Sequence, residues 1–475
     1  MMKRFVFFVL LLMGVLWGNS RVDAQTEGQV ISVSAAELAT AVSNATPGDT
    51  IEVTGGVYQG ALVIDKPLTI RGKEWPVIDG ENKGTVVSIV APNVTLQGVV
   101  IKNSGQSLAN ENSGISVEAE YALIEGNHFE DTLFGIYTRK AHNTIIRNNT
   151  ISSKDLETQR RGDPIRIWYS NDVTLENNKI DKGRDVVLWY SERLTVQNNE
   201  VSNGRYGLHF MYCDDATIEY NRLYNNSVGA FMMYSRRVHI QNNTIASNRG
   251  PSGFGIGLKD MDDAIITDNL ILDNRVGVHL DTSPREVDSI GRFNGNVFAY
   301  NDIGVQMMPS VRHNEFFDNS FVENEEQMAI SGGGAQGDNW WTVNDSGNYW
   351  SDYAGYDDDG DGLGEMAYRS DRLFENMMEK QPQLRLFLYS PATNAIEFAA
   401  KAFPLVKPQP KLVDERPLTA PIIPTMAPPL PQAESQGWGG VALALVFLAV
   451  GTIGLSKLHP KRYQFSKAEK SRQTA

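Results

Sequence analysis

A single cysteine, Cys213, stands in 475 residues, so no intramolecular disulfide can form and a zinc site built from several cysteines is excluded. Basic charge is also scarce: 43 Lys and Arg face 57 Asp and Glu, a formal net charge of −14. Nucleic-acid binders usually present a basic face, so no nucleic-acid partner is expected. The leucine columns that leucine-rich repeats need are missing. Long apolar runs are confined to the two ends of the chain.

At the first end, Lys3 and Arg4 precede an apolar run from Phe5 to Leu16, and Val22-Asp23-Ala24 follows with small residues at the spacing a signal peptidase reads. Residues 1–24 are expected to be a signal peptide cleaved before Gln25, since the run is too short to span a bilayer comfortably. At the other end, Trp438 to Leu455 is free of charge, and residues 437–456 reach the length of a transmembrane helix. Lys457, Lys461 and Arg462 come next, which puts the tail, 457–475, in the cytoplasm and the body outside. Residues 403–436 are proline-rich and read as a semi-rigid linker lifting the body off the membrane.

Between the ends runs a repeat. Asn149, Asn178, Asn199, Asn221, Asn243, Asn269, Asn296 and Asn319 each stand two residues before an apolar side chain, with a basic period near 22 residues and occasional insertions. A second column holds Gly114, Gly135, Gly207, Gly229, Gly255, Gly277 and Gly304, with Pro164 and Asp185 where glycine is missing. Residues between these markers alternate with period two, as in Val173-Thr174-Leu175 and Leu194-Thr195-Val196. Short strands joined by Asn and Gly turns at that period predict an all-β fold, a right-handed parallel β-helix over 25–335. The turn asparagines suit left-handed backbone geometry, and their amides can bond from coil to coil. Leu38, Ala41 and Val42 at helical spacing predict a capping helix over Ala35 to Ala45, and 336–402 a C-terminal capping region.

Counting from the glycine column, the first and third residues of each strand point inward, as Ile165 and Ile167, Val186 and Leu188, Leu208 and Phe210. The outward second column reads Arg166, Val187, His209, Phe231, Gly257, His279, Gln306. The fourth reads Trp168, Trp189, Met211, Met233, Lys259, Asp281, Met308, and beside it lie Tyr169, Tyr190, Tyr212 and Tyr234. A continuous outward patch of aromatics and methionines marks a contact surface, unless the insertion Ser152 to Asp163 folds over it. Trp168, Tyr169, Trp189, Tyr190, Tyr212 and Tyr234 are therefore docking candidates. Imidazole, thioether and thiol favour copper(I), which makes His209, Met211, Cys213, Met233, His279 and Met308 candidate ligands.

Acids gather near turns. Asp214-Asp215 is weighed as a glycan-cleaving pair, although turn positions favour a structural role. Asp357, Asp359 and Asp361 occupy positions 1, 3 and 5 of an EF-hand-like loop with glycine at 6. Position 12 is Tyr368, so a full EF-hand is not implied, and calcium is a candidate in a loop that closes differently.

The runs GDPIRIWYSND, GRDVVLWYSE, RYGLHFMYCDD, VGAFMMYSRR, GPSGFGIGLKDMDD and NRVGVHLDTSP, followed by GNYWSDYAGYDDDGDGLG, resemble the NosD family of periplasmic accessory proteins. The resemblance implies a non-enzymatic role in nitrous oxide reductase maturation, in the periplasm; the anchor to the inner membrane is expected from residues 437–456 and looks like a variable addition to the family. It implies as partners an ABC-type ATPase and its membrane permease, a copper chaperone lipoprotein and nitrous oxide reductase, with copper, transiently copper(I), as cargo. A cell-surface carbohydrate-binding or carbohydrate-cleaving β-helix is the alternative.

Overall fold

One coil shows how the chain turns. Strand Thr174–Glu176 ends at Asn177, whose φ of 53° swings the backbone sharply. Asn178 follows and points its amide inward, then strand Lys179–Asp181 begins. Lys182, with φ 60°, makes the next corner before strand Asp185–Trp189, and Tyr190, with φ 53°, closes the coil. Three short strands per coil thus feed three parallel sheets of 13, 12 and 13 strands, and the whole is a right-handed parallel β-solenoid of about 13 turns.

The computed structural model describes residues 28–334, 337–402 and 410–431. The expected signal peptide (1–24), membrane helix (437–456) and tail (457–475) lie outside them. Among the described residues no helix is long and apolar enough to cross a membrane.

The inward columns form one apolar core: Ile165, Ile167, Val186, Leu188, Leu208, Phe210, Val278 and Leu280 are all essentially unexposed. A polar ladder runs beside it. Each ladder asparagine from Asn127 to Asn319 donates its Nδ2–H to Oδ1 of the next, at 2.9–3.1 Å. Buried amides are tolerated because nearly every donor and acceptor is used. The left-handed corner, however, belongs to the residue before each ladder position (Asn148, Asn177, Asn198, Tyr220, Asn242), not to the ladder asparagine. A second ladder, Asn226, Asn248, Asn274, Asn301 and Asn324, runs along another corner. The glycine column is a matter of space: a Cβ on Gly207 would stand 2.4 Å from the Gly229 carbonyl oxygen.

A short helix α1 (Leu38–Asn44) buries Leu38, Ala41 and Val42 within the same core. At the far end, helix α2 (Leu373–Lys380) packs against strand Glu326–Ile330, and helix α3 (Pro391–Ala402) packs on α2.

The proline-rich segment is not a free spacer along its described length. Residues 410–428 return to the solenoid as a strap. Lys411, Leu412 and Asp414 are fully buried, and Val413–Asp414 pairs antiparallel with Tyr368–Arg369. Asp414 ends the long asparagine ladder: its carboxylate accepts from the Asn348 backbone N–H (2.7 Å), from Trp350 Nε1 (2.9 Å) and from Thr342 Oγ1 (2.8 Å). Farther on, the Ile422 N–H donates to Ser320 Oγ at 2.8 Å, and Thr244 Oγ1 donates to the Pro428 carbonyl. Proline lacks an N–H but keeps its carbonyl, so such a strap can be held by side chains rather than by ladder bonds.

Candidate functional site

The outward columns meet on the outer face of the 12-stranded sheet, in register across successive coils: Trp168 opposite Trp189, Trp189 opposite Met211, Met211 opposite Met233. Trp168 and Trp189 pack at 5.5 Å between ring centroids. The four tyrosines stack face to face at 4.8, 5.2 and 5.0 Å, with planes within 15° of parallel. Each adopts positive φ, between 47° and 56°, at the corner that ends its strand. Tyr169 and Tyr212 remain 46% exposed. The Ser152–Asp163 insertion does not hide this column. Its Lys154 is drawn to the opposite corner by Asp131 (2.7 Å) and Asn82 (3.2 Å).

The copper candidates do not converge as one set. His209, Met211 and Met233 share an outward face on neighbouring coils. His279 lies two coils beyond Met233, on the order of 10 Å away. It stacks on Phe254 at 4.3 Å, and its Nδ1 contacts Gln306 Oε1 at 3.0 Å. Burial pushes its pKa below the ordinary histidine value. Met308 lies one coil further and packs against the core.

Cys213 must be withdrawn from the set. It points inward, is fully buried, and its Sγ–H donates to the Leu188 carbonyl at 3.0 Å. Ser170, Ser191, Ser235 and Ser283 fill the same column, each donating to the carbonyl two residues before it, as Cys213 also does to Met211 at 3.5 Å. Burial pushes the thiol up to about 12, so no thiolate is available to a metal. Cys213→Ser is accordingly expected to change thermal stability by no more than about 1 kcal/mol and copper(I) affinity not at all. A copper titration of the variant weaker than wild type would return the cysteine to the site.

A charged cluster adjoins His209 that strand alternation alone did not single out. Asp185 is 2% exposed, and both of its oxygens accept from Arg205, with Nε at 2.8 Å from Oδ1. Its Oδ2 also faces His209 Nδ1 at 3.3 Å. Burial pushes the Asp185 carboxyl up, but the Arg205 and His209 hydrogen bonds outweigh it and hold it below the usual carboxylate range. One coil back, Asp163 is buried between Arg166 and Arg184, at 2.7 and 3.0 Å, and there burial wins and raises its pKa. The available signal was a carboxylate standing in the glycine column.

Asp214 and Asp215 serve their turn. Asp214 accepts from the Arg236 N–H at 2.9 Å, and Asp215 pairs with Arg237 at 2.6 Å. Ligand oxygens of Asp357, Asp359 and Asp361 lie within 4.8 Å of one another, an all-oxygen set of the kind calcium takes. In this structure they accept from the backbone N–H groups of Gly360, Asp361, Gly362 and Leu363, and Arg416 pairs with Asp361 at 3.1 Å.

Residues 147–355, which span the whole stripe from Trp168 to Met308, match the family model described as "Periplasmic copper-binding protein (NosD)". Over that stretch the chain is similar to the NosD family. Two similar proteins are each named "Probable ABC transporter binding protein NosD". One, from Pseudomonas aeruginosa, is 29% identical over 380 residues, covering 77% of this chain and 87% of its own. The other, from Stutzerimonas stutzeri, is 28% identical over 381 residues, covering 76% and 85%. Among solved structures, the A-module of an Azotobacter vinelandii mannuronan C-5 epimerase is similar at 16% identity, with 62% of this chain and 90% of that chain covered and a TM-score of 0.45. The NosD-named relatives bear the name of binding proteins rather than of enzymes.

Proposed function

We propose that this chain is a periplasmic, non-enzymatic subunit of an ABC-type complex that relays copper during nitrous oxide reductase maturation. Its partners on this reading are the ATPase and permease of that complex, a copper chaperone lipoprotein and the reductase, and its C-terminal apolar segment holds it to the inner membrane. The observation that carries the proposal is the outward Trp, Tyr, His and Met stripe, which falls inside the stretch similar to the NosD family. Copper is cargo here. One imidazole and two thioethers at His209, Met211 and Met233 fit a soft monovalent ion, and none of the three carries a negative charge that a harder ion would seek. Asp214 and Asp215 are engaged in turn bonds and an ion pair, which speaks against the carbohydrate-cleaving alternative.

Docking and metal binding should separate by mutation. Trp189→Ala removes a large interfacial ring and should weaken association with the permease complex by about 2 kcal/mol or more. Copper(I) affinity should fall far less in that variant than when a ligand is removed, since Trp189 packs edge-on against His209 but supplies no donor. His209→Ala and Met211→Ala should do the reverse, lowering copper(I) affinity while leaving association intact. Pull-down of the permease complex, copper(I) competition titration and reductase activity in cells are the readouts. A His209→Ala, Met211→Ala chain that holds copper as tightly as wild type would remove the metal half of the proposal.

A further inference from the structure

His209 is held in an unusual way for a side chain on the outer face of a β-helix. Its ring stands edge-on to Trp189 at 5.2 Å and edge-on to Tyr206 at 5.0 Å, both at 88°, so its direction is set from two sides. Its Nδ1 meets Asp185 Oδ2. Its Nε2 receives no hydrogen bond from the described residues. Next to it, the Trp189 Nε1–H is buried with no acceptor among the described residues.

Asp185 stands in a column that Pro164 and Gly207 hold on either side of it in the sequence repeat, and it places a carboxylate where it is 2% exposed. The Arg205 guanidinium binds both of its oxygens, Nε on Oδ1 and a terminal nitrogen on Oδ2, the oxygen that also faces the imidazole. An ionised carboxylate can only accept hydrogen bonds. Facing it, a neutral imidazole must carry its proton on Nδ1 and its lone pair on Nε2. Metal-binding histidines are oriented by a carboxylate in this manner, which also raises the basicity of the donor nitrogen.

We propose that Asp185 is the positioning residue of a copper(I) site, fixing His209 as the Nδ1–H tautomer so that Nε2 binds the ion together with the Met211 and Met233 thioethers. Met211 lies two residues from His209 on the same face, roughly 6.6 Å along the strand, and Met233 is paired directly with Met211. Both side chains are long and flexible enough to close on an ion at that corner. The three donors are uncharged, so the site selects copper(I) over copper(II) or zinc(II). The inference rests on the copper reading of His209 given above.

The test uses the full-length chain in detergent. In the apo protein, nitrogen NMR of the histidines should show His209 protonated at Nδ1. Competition titration with a chromophoric copper(I) chelator should show Asp185→Asn binding about 10- to 100-fold more weakly than wild type. Asp185→Glu should recover part of that loss. X-ray absorption of the copper(I)-loaded chain should show one nitrogen and two sulfur donors. Asp185→Asn binding within twofold of wild type, or a His209 proton resting on Nε2, overturns the proposal. The NMR reading needs no variant, so it decides even where Asp185→Asn does not fold. His209→Gln keeps the two failures apart. If it binds copper like wild type, the copper reading itself fails. If it loses copper while Asp185→Asn does not, only the role of Asp185 fails.

Discussion

Leu208→Asp is expected to abolish cooperative melting of the solenoid. Leu208 is 1% exposed and sits in an inward column between Val186 and Ala230 of the adjoining coils. Removing the leucine alone would leave a cavity costing about 2–5 kcal/mol. The aspartate adds a carboxylate with no cation in the core to meet it, a penalty of several kcal/mol more. In a solenoid each coil is stabilised chiefly by its two neighbours, so a break in the middle separates two stacks that each lose a face. Glu176→Gln, on an outward position next to a corner, should melt like wild type. Circular dichroism melts of the two variants make the comparison. A wild-type melt for Leu208→Asp would mean that the in–out register is shifted by one residue.

That register was legible because two periodicities coincide. Asparagine and glycine mark each coil, and between the marks the side chains alternate, so the core columns follow by counting. Counting failed where position and side-chain direction part company. Cys213 is two residues beyond Met211, which on a continuing strand would share its face. Tyr212, at φ 56°, turns the chain, and the thiol enters the core. The tyrosines stand at that same left-handed corner, which strand alternation does not show. The left-handed positions themselves were assigned one residue too late, because the asparagine that recurs most strictly is the one whose amide is buried. The residue that actually turns varies between Asn, Tyr, Asp and Gly.

Composition misled more than periodicity did. A proline-rich stretch ordinarily reads as a linker, and residues 410–428 are instead a strap bound along the solenoid. What holds it is long-range: Lys411 bonds Glu326 from 85 residues away, and Asp414 bonds Asn348 from 66. No local pattern announces such pairs. The Asp185 carboxylate was hidden for a similar reason. Its partners Arg205 and His209 stand 20 and 24 residues on, one full coil away, where only the stacked structure brings them together.

The strap's anchor should respond to pH in a direction its buried charges dictate. Lys411 is fully buried among Glu326 at 2.6 Å, Glu379 at 3.0 Å and Glu375 at 3.6 Å, while Arg385 and Arg372 reach Glu326 and Glu375 from outside. Burial lowers the Lys411 pKa, but the three carboxylates more than reverse it, so the ammonium stays charged. Three acids are too many for that one lysine. Burial pushes Glu375 up to about 7, against the pull of Lys411 and with the push of Glu326, and it raises Glu379 as well. Glu375 titrates near 4.5 when unfolded, so between pH 4.5 and 7 the folded chain holds a proton that the unfolded chain has released. Its contribution is therefore fully present below pH 4.5 and lost as pH rises through 7, a change of at most about 3 kcal/mol. Hydrogen exchange at the Lys411 N–H, which donates to the Ser370 carbonyl at 2.8 Å, reports on the strap directly. Corrected for intrinsic exchange, its protection should fall between pH 5 and pH 8 in the wild-type chain, and Glu375→Gln should flatten that fall and leave the strap firmer at pH 8. Lys411→Met should do the opposite, removing the cation that all three acids face and leaving Glu379 with no ion-pair partner among the described residues, at a cost of about 3–5 kcal/mol, and freeing residues 410–428 at pH 8, less so at pH 5. A Lys411→Met strap as protected at pH 8 as the wild type would show that the proline segment is held by its apolar and backbone contacts alone.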